Sequence, residues 1–439
     1  MEPRILLSRL LDQAKKLGAR ASEALYEQAT VLSMGWQQGA VGPPDQRHTF
    51  RVSVVVYLSE GRRAHCILEA DSTESLAAQS KSPLRAALDR ARHAPSDPLI
   101  GPADRYDIAE VGLGLLDRRQ KNLGLEARRD ILEGNVAGCM SVHPELRVPC
   151  VSYDEQLTTR CFASSRGVSA TERSTRYDAV IEARFGSAGR LHVQRVASRQ
   201  FANIASMPFG ATLGHRLRSL QEPGTLPPGP LPVILDAVPV AHLLRSMAPA
   251  FSAPSVRSGR SFVSKVLGKR IASPKLHVID DPTLSGALLS RAFDDRGVPP
   301  APVVVVREGV ASGLLFDLHH ARREEQRPTG HFIGGKVQPT NLIVRPGNRS
   351  RNAIGMALSN YIVIDNLHAD WPVDLETGHL STLCDLLVFR DHEFRGAVLA
   401  QPLSMPVSQF LGSIREVGSD QARYCEVDAC SLVLEEIGF

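Results

Sequence analysis

Apolar residues recur at helical spacing near the start of the chain, where Ile5, Leu6, Leu10, Ala14 and Leu17 share one face. The spacing predicts a helix from about Pro3 to Leu17, with Gly18 as its stop, because glycine reaches the left-handed conformation that closes helices. The period then shortens towards two. Strand formers crowd Ala24 to Trp36, the turn signal Gly42-Pro43-Pro44 follows, and Thr49 to Tyr57 opens with apolar and polar residues in alternation. Ser59-Glu60-Gly61-Arg62 predicts a hairpin turn into His65 to Leu68. Asp71 reads as the start of a second helix, with Glu74 as its capping-box partner.

A proline-rich passage from Pro95 to Pro102 breaks the chain, and a long helical pattern from about Arg118 to Ala137 resumes it. Val151 to Phe201 returns to strand periodicity, with turn signals at Ser164-Ser165-Arg166-Gly167 and Gly186-Ser187-Ala188-Gly189. Glu222 to Pro230 holds four prolines, which remove backbone donors and fix an extended course, so a domain boundary is expected there. Residues 1–224 and 225–439 are the two expected domains. Past the boundary, Leu231 to Leu235 reads as a short buried strand and Ala237 to Ala250 as a helix. Strands separated by Gly, Pro and Asp turns follow to the end. The expected class is α+β: an N-terminal helix and antiparallel-sheet domain, then a strand-rich domain of barrel or sandwich type.

Composition narrows the function. A chain of 439 residues with 43% apolar and 22% charged positions can bury sizeable cores. Its net charge is only +4, and basic residues alternate with acidic ones, so nucleic acid is not indicated as a partner. No stretch approaches the roughly 18–20 apolar residues that cross a bilayer, and Met1 to Leu11 has charges where a secretion signal has an apolar core. No membrane partner is expected, and the cytoplasm is the expected compartment. Seven scattered cysteines without a C-x-x-C pair fit reduced thiols.

Metal and nucleophile motifs are weak. His242 has no second ligand at helical spacing and reads as a core-edge or surface residue. In His319-His320 with Glu324-Glu325, adjacent histidines diverge in any regular structure, and a solvated charged face accounts for the cluster. His392-Glu393 opens like a zinc-protease helix, but Gly396 stands where the second histidine belongs. No G-x-S-x-G elbow occurs, and Gly334-Gly335-Lys336 lacks the rest of a phosphate loop.

A set of phrases in the second half, taken in order, resembles the TldD/PmbA family. They are Pro230 to Leu235, Ser258 to Phe262, Leu267-Gly268 with Ala272-Ser273, Asp280-Asp281-Pro282, Phe293 to Gly297, Pro328-Thr329-Gly330, Arg345-Pro346-Gly347, Glu376-Thr377-Gly378 with Ser381, and Val417 to Asp420. Ala14 to Ala21 adds weaker support. The family has two branches that pair: a TldD branch with a zinc-binding His-Glu-x-x-x-His helix, and a TldE or PmbA branch without it. In the former the motif follows a Pro-Val-x-Leu strand by seven residues and a Leu-Leu pair. Here Pro232 to Leu235 leads to Leu243-Leu244, and then Arg245, Ser246 and Ala250 stand where the first ligand, the base and the second ligand would be.

A guanidinium repels a metal ion, and serine cannot take a proton from metal-bound water as glutamate does. The resemblance therefore implies a TldE-like, non-catalytic subunit with no cofactor of its own, joined to a TldD-like partner that carries zinc. Together they would act on unfolded or short peptides, bound by strand addition in a closed chamber. Thr329-Gly330-His331 and Thr377-Gly378-His379 are the implied peptide-cavity residues, although the family has Thr-Gly-Asp at the second triplet. It also has an acidic residue where Arg296 stands, and Arg296 is read as pairing locally. The rival readings are a homodimeric peptide-binding or scaffold protein without a peptidase partner, and an enzyme with a repurposed cavity.

Overall fold

The computed structural model describes residues 1–439 except 38, 105, 107 and 109–111. Helix α1 (Pro3–Lys16) precedes β1 (Ala21–Gln37), which turns through the short β2 (Ala40–Val41) into β3 (Asp45–Tyr57) and β4 (Arg63–Ala70). Helices α2 (Thr73–Gln79), α3 (Lys81–Arg92) and α4 (Leu125–Met140) follow. The long strands β5 (Leu146–Ser164) and β6 (Ser169–Phe185) then lead to β7 (His192–Ser198), α5 (Phe201–Ser206) and α6 (Phe209–Ser219). The strands form one antiparallel sheet in the order β4-β3-β1-β5-β6-β7, with β2 against β1.

Even-numbered residues of β1 and odd-numbered residues of β5 point to one face, because side chains alternate along a strand. One end of that face packs Ala24, Tyr26 and Val52 under Leu6, Leu10 and Leu84 of α1 and α3. The other end packs Tyr153 and Tyr177 under Leu132 and Leu213 of α4 and α6. Helix α1 buries Leu6, Leu7, Leu10 and Ala14, while Ile5 is 47% exposed, so its buried face is turned slightly from the predicted one. Gly18 closes it at φ +105°.

Helix α2 is capped by Ser72, whose hydroxyl accepts from the Ser75 amide at 3.1 Å, and not by Asp71. Glu74, released from a capping-box role, pairs with the Met1 amine. Helix α4 starts at Leu125, later than the predicted Arg118, because Gln120–Asn122 form a separate 3-10 turn and Gly124 is extended.

From residue 231 strands and short helices interleave. In chain order they are β8 (Leu231–Leu235), α7 (Ala237–Met247), α8 (Ala253–Arg257), α9 (Val263–Val266), β9 (Val278–Asp280), β10 (Val303–Arg307) and β11 (Val310–Ala311). Next come α10 (Leu318–Arg323), β12 (Phe332–Ile333), β13 (Lys336–Val337), β14 (Leu342–Val344), α11 (Arg351–Ala357) and β15 (Asn360–Leu367). The chain ends with β16 (His379–Arg390), β17 (Glu393–Pro406), α12 (Val407–Gly412), β18 (Ile414–Val417), β19 (Ala422–Tyr424), β20 (Val427–Ala429) and β21 (Leu432–Ile437).

Two open six-stranded sheets result, β17-β16-β15-β8-β21-β18 and β11-β10-β9-β14-β20-β19, with β12–β13 as a separate two-stranded one, and no closed barrel forms among the described residues. Buried side chains of β8, α7, β14, β16 and β21 share the large core between them.

The second face of the N-terminal sheet mixes a small apolar cluster of Leu25, Phe162 and Phe293 with buried arginines, and it meets the segment 287–296 of the second half. Arg160 on β5 reaches Asp295 at 2.5 Å, Glu27 at 3.2 Å, Glu172 at 3.5 Å and the Phe293 carbonyl at 3.2 Å. Arg199 donates to the Thr175 carbonyl at 2.9 Å and the Ser290 carbonyl at 3.1 Å. Arg296 is buried against Glu23 at 2.8 Å, beside Tyr57 and over the Phe332 ring. Its partner is thus 273 residues away and not local, because the turn at Gly297 aims the side chain across to β1.

Candidate functional site

Strand β8 ends at Leu235, and α7 begins immediately. Val238, His242 and Arg245 lie at i, i+4 and i+7, one stripe of that helix, and this stripe faces a cavity. The opposite side, including Val240, Leu243, Leu244 and Met247, enters the core. The helix ends at Met247, earlier than the predicted Ala250, and Ala248–Phe251 continue as a 3-10 turn. Pro249 explains the change, since it has no amide hydrogen and its ring would clash with the carbonyl four residues back.

The three positions singled out in the sequence therefore diverge. Arg245 lines the cavity, 3.8 Å from Glu426 and over the Trp371 ring at 5.7 Å. Ser246 is fully buried and donates to the Leu243 carbonyl at 2.8 Å. Ala250 lies in the core, its carbonyl accepting from the Ser261 hydroxyl at 2.6 Å. One cation in a cavity and two small residues in a core do not fit zinc, so no catalytic step is routed through a metal here. Among the described residues no group of three or more His, Cys, Asp or Glu side chains is placed to hold an ion.

The cavity holds about 500 Å³ and lies between β7 of the first half and α7, the end of β15 and the β19–β20 hairpin of the second. Arg190 and Leu191, just before β7, and His192 to Arg195 on that strand line the cavity from the first half. Arg216 of α6 enters from the side and is held by Asp365 at 2.5 Å. Arg195 is held by Asp178 at 2.5 Å, which Arg176 shares. Burial, with Arg216 and Arg190 beside it, pushes His192 down to about 4. His242 is lowered by burial and by Arg245, against the opposing hydrogen bond to the Asp370 carbonyl at 3.0 Å. His368 pairs with Asp385 at 2.8 Å, and Arg190 Nη1 lies 2.7 Å from its ring nitrogens.

The two implied peptide-cavity triplets lie elsewhere. Thr329 lines a cleft beside Arg257 and Arg307, and its hydroxyl accepts from the Phe316 amide at 2.9 Å. Gly330 has φ +70°, and a Cβ there would meet Pro300 Cα at 2.4 Å. His331 is fully buried, its Nε2 3.3 Å from Asp280. Thr377, Gly378 and His379 form the turn into β16, where Gly378 backs onto Phe262 and His379 Nε2 meets the Ser404 hydroxyl at 2.9 Å. No hydrogen bond joins the triplets among the described residues.

The remaining candidates have partners of their own. His319 pairs with Asp97, His320 with Asp317 and Glu324 with Arg257. His392 sits at the β16–β17 turn with φ +66°. All seven cysteines are free. The sequence reading missed Arg190, His192, Arg195 and Arg216, which reach the cavity from the first half. Their local signal is the Arg190-Leu191-His192-Val193-Gln194-Arg195 alternation on an edge strand.

Residues 228–439 match the family model for the PmbA/TldA metallopeptidase C-terminal domain. That second half of the chain belongs to the TldD/PmbA family. The chain is 24% identical over 332 residues to the metalloprotease PmbA of Escherichia coli O157:H7, which covers 71% of this chain and 69% of that protein. It is 26% identical over 219 residues to a metalloprotease of Methanothermobacter thermautotrophicus, which covers 48% of each. For the first three relatives the chain spans 26%, 48% and 47% of their length, about half or less.

The fold is shared over nearly the whole chain with two solved structures. One is described as a proposed modulator of DNA gyrase from Bacteroides thetaiotaomicron: TM-score 0.86, 18% identity, 99% of this chain and 97% of that one. The other is TldE from Thermococcus kodakarensis: TM-score 0.83, 15% identity, 98% of this chain and 99% of that one. At such identities these likenesses establish the fold alone.

Proposed function

We propose that this TldD/PmbA-family chain is the non-catalytic, TldE-like subunit of a heterodimeric metallopeptidase that degrades or matures unfolded or short peptides. Its partner is a TldD-like chain that carries the zinc ion. The observation that supports this most is the strand-to-helix position after Leu235. There Arg245 faces the cavity, while Ser246 and Ala250 are sunk in the core. An ion at that place would meet a fixed positive charge and no imidazole, thiolate or carboxylate from these three side chains.

The proposal locates the complex in the cytoplasm, where free thiols such as the seven here stay reduced. No helix among the described residues is long and apolar enough to cross a membrane. The test is to mix the purified chain with a family member bearing His-Glu-x-x-x-His, then measure mass, bound zinc and peptide cleavage. The expected result is a heterodimer, zinc stoichiometric with the partner, and faster cleavage in the mixture than by either chain alone. Zinc-dependent cleavage by this chain alone would overturn the assignment.

A further inference from the structure

Four arginines, Arg190, Arg195, Arg216 and Arg245, line the cavity beside α7 against two lining carboxylates, Asp370 and Glu426. Arg195 and Arg216 are held by Asp178 and Asp365, but Arg190 forms no ion pair among the described residues and meets the His368 ring. Arg245 has only Glu426, at 3.8 Å, too far for a hydrogen bond. Asp370 is exposed at the edge, and Asp385 meets His368 through Oδ1 while its buried Oδ2 has no hydrogen-bond partner among the described residues. Two buried guanidinium atoms that belong to the lining, Arg216 Nη2 and Arg245 Nε, find no hydrogen-bond partner among the described residues. A planar guanidinium satisfies its donors best against a carboxylate, which accepts two of them at once.

The walls supply a second kind of surface. Leu191, Val193 and Val238 line the cavity and are 43%, 54% and 42% exposed, and Trp371, 61% exposed, flanks Arg245. An apolar wall next to unpaired guanidinium groups suits a short peptide with an anionic end.

We propose that this cavity is a carboxylate-recognition subsite, in which Arg245 and Arg190 bind the C-terminal carboxylate of a peptide while the apolar wall holds the preceding side chains. This rests on the peptide-handling reading above and deepens it. The position that bears zinc in the TldD branch would here hold the end of a peptide by charge, without cutting it.

The experiment titrates the purified full chain with one labelled pentapeptide, Ala-Val-Thr-Ala-Leu, as the free acid, as the C-terminal amide, and as the amide with Glu in place of its Thr. The free acid is expected to bind about tenfold or more tightly than the plain amide, with the gap narrowing as salt is raised. Arg245→Gln and Arg190→Gln should each remove most of that preference, and Arg245→Lys should keep part of it. If the Glu-bearing amide equals the free acid, the cavity takes a carboxylate from either source and the assignment to the peptide C-terminus is overturned. Equal binding of all three peptides overturns the subsite while leaving the subunit role to the partner-mixing test. Absence of binding by any of them overturns it too. Since Arg245 is 37% exposed, the Gln variant is expected to fold, and its unfolding midpoint verifies this.

Discussion

The two halves of the molecule meet at two arginine-rich junctions, and these are built on opposite principles. At the first, Arg160 and Arg296 are buried and each is matched by carboxylates: Asp295, Glu172 and Glu27 for one, Glu23 for the other. Burial alone would loosen the Arg160 proton, yet those three carboxylates hold it more firmly than in water. At the second, beside α7, four guanidinium groups line the cavity against two carboxylates, and burial, with Arg216 and Arg190 beside it, makes His192 give up its proton more readily. A closed network fixes one half against the other. An open one is equipped to receive something from outside.

The largest effect expected is at the closed junction. Arg160→Ala leaves Glu172 buried without its cation and should lower the unfolding free energy by about 3–5 kcal/mol. A urea titration measures this, and a loss under about 1 kcal/mol would mean that charge pairing does not hold the halves together. Next in size is the coupling across the latch. Arg296→Met and Glu23→Gln should be non-additive by about 1–3 kcal/mol in a double-mutant cycle, because each single change strands a buried partner. Additive losses would show that the two side chains act separately.

pH separates the junctions with a smaller effect of opposite sign. His192 is depressed to about 4 in the fold, so the unfolded chain binds its proton first, and stability is lost as pH falls from about 6.5 towards 4. Asp294, at the closed junction, is raised by burial to about 6. The folded chain then binds its proton first, and stability is lost as pH rises from about 4 towards 6. His192→Gln and Asp294→Asn should therefore change the slope of unfolding midpoint against pH in opposite directions between pH 4 and 6. Slopes moving the same way would contradict the contrast. Smallest of all, Arg245→Gln should alter stability by less than about 1 kcal/mol, since it loses only a loose, half-exposed pair. A larger loss in a melting experiment would make Arg245 a structural residue.

What could be read in the sequence was local. Helix α1, the β3–β4 hairpin and the β8-to-α7 step were legible because spacing, turn residues and a proline-rich break act within a few positions. Ser72 was passed over as the cap of α2 because Asp71 offers an equally good local signal one residue earlier. Helices as short as α8 to α12 have little intrinsic stability and form where tertiary packing puts them, so no period announces them. The pairing of Arg296 with Glu23 was out of reach for the same reason, and so was the convergence of Arg190 and Arg216 on α7. Sequence spacing carries no information about which distant strand a guanidinium will meet.

The 273-residue reach of the Arg296–Glu23 pair also has a meaning in time. At roughly 5–20 residues per second, a ribosome needs about 15–55 s after making Glu23 before Arg296 is even synthesised. Through that interval the Glu23 carboxylate has the Tyr57 hydroxyl and the Ala103 amide as partners but not the Arg296 guanidinium. The nascent first half therefore emerges without its final latch, and it is locked only when the chain is about two-thirds made.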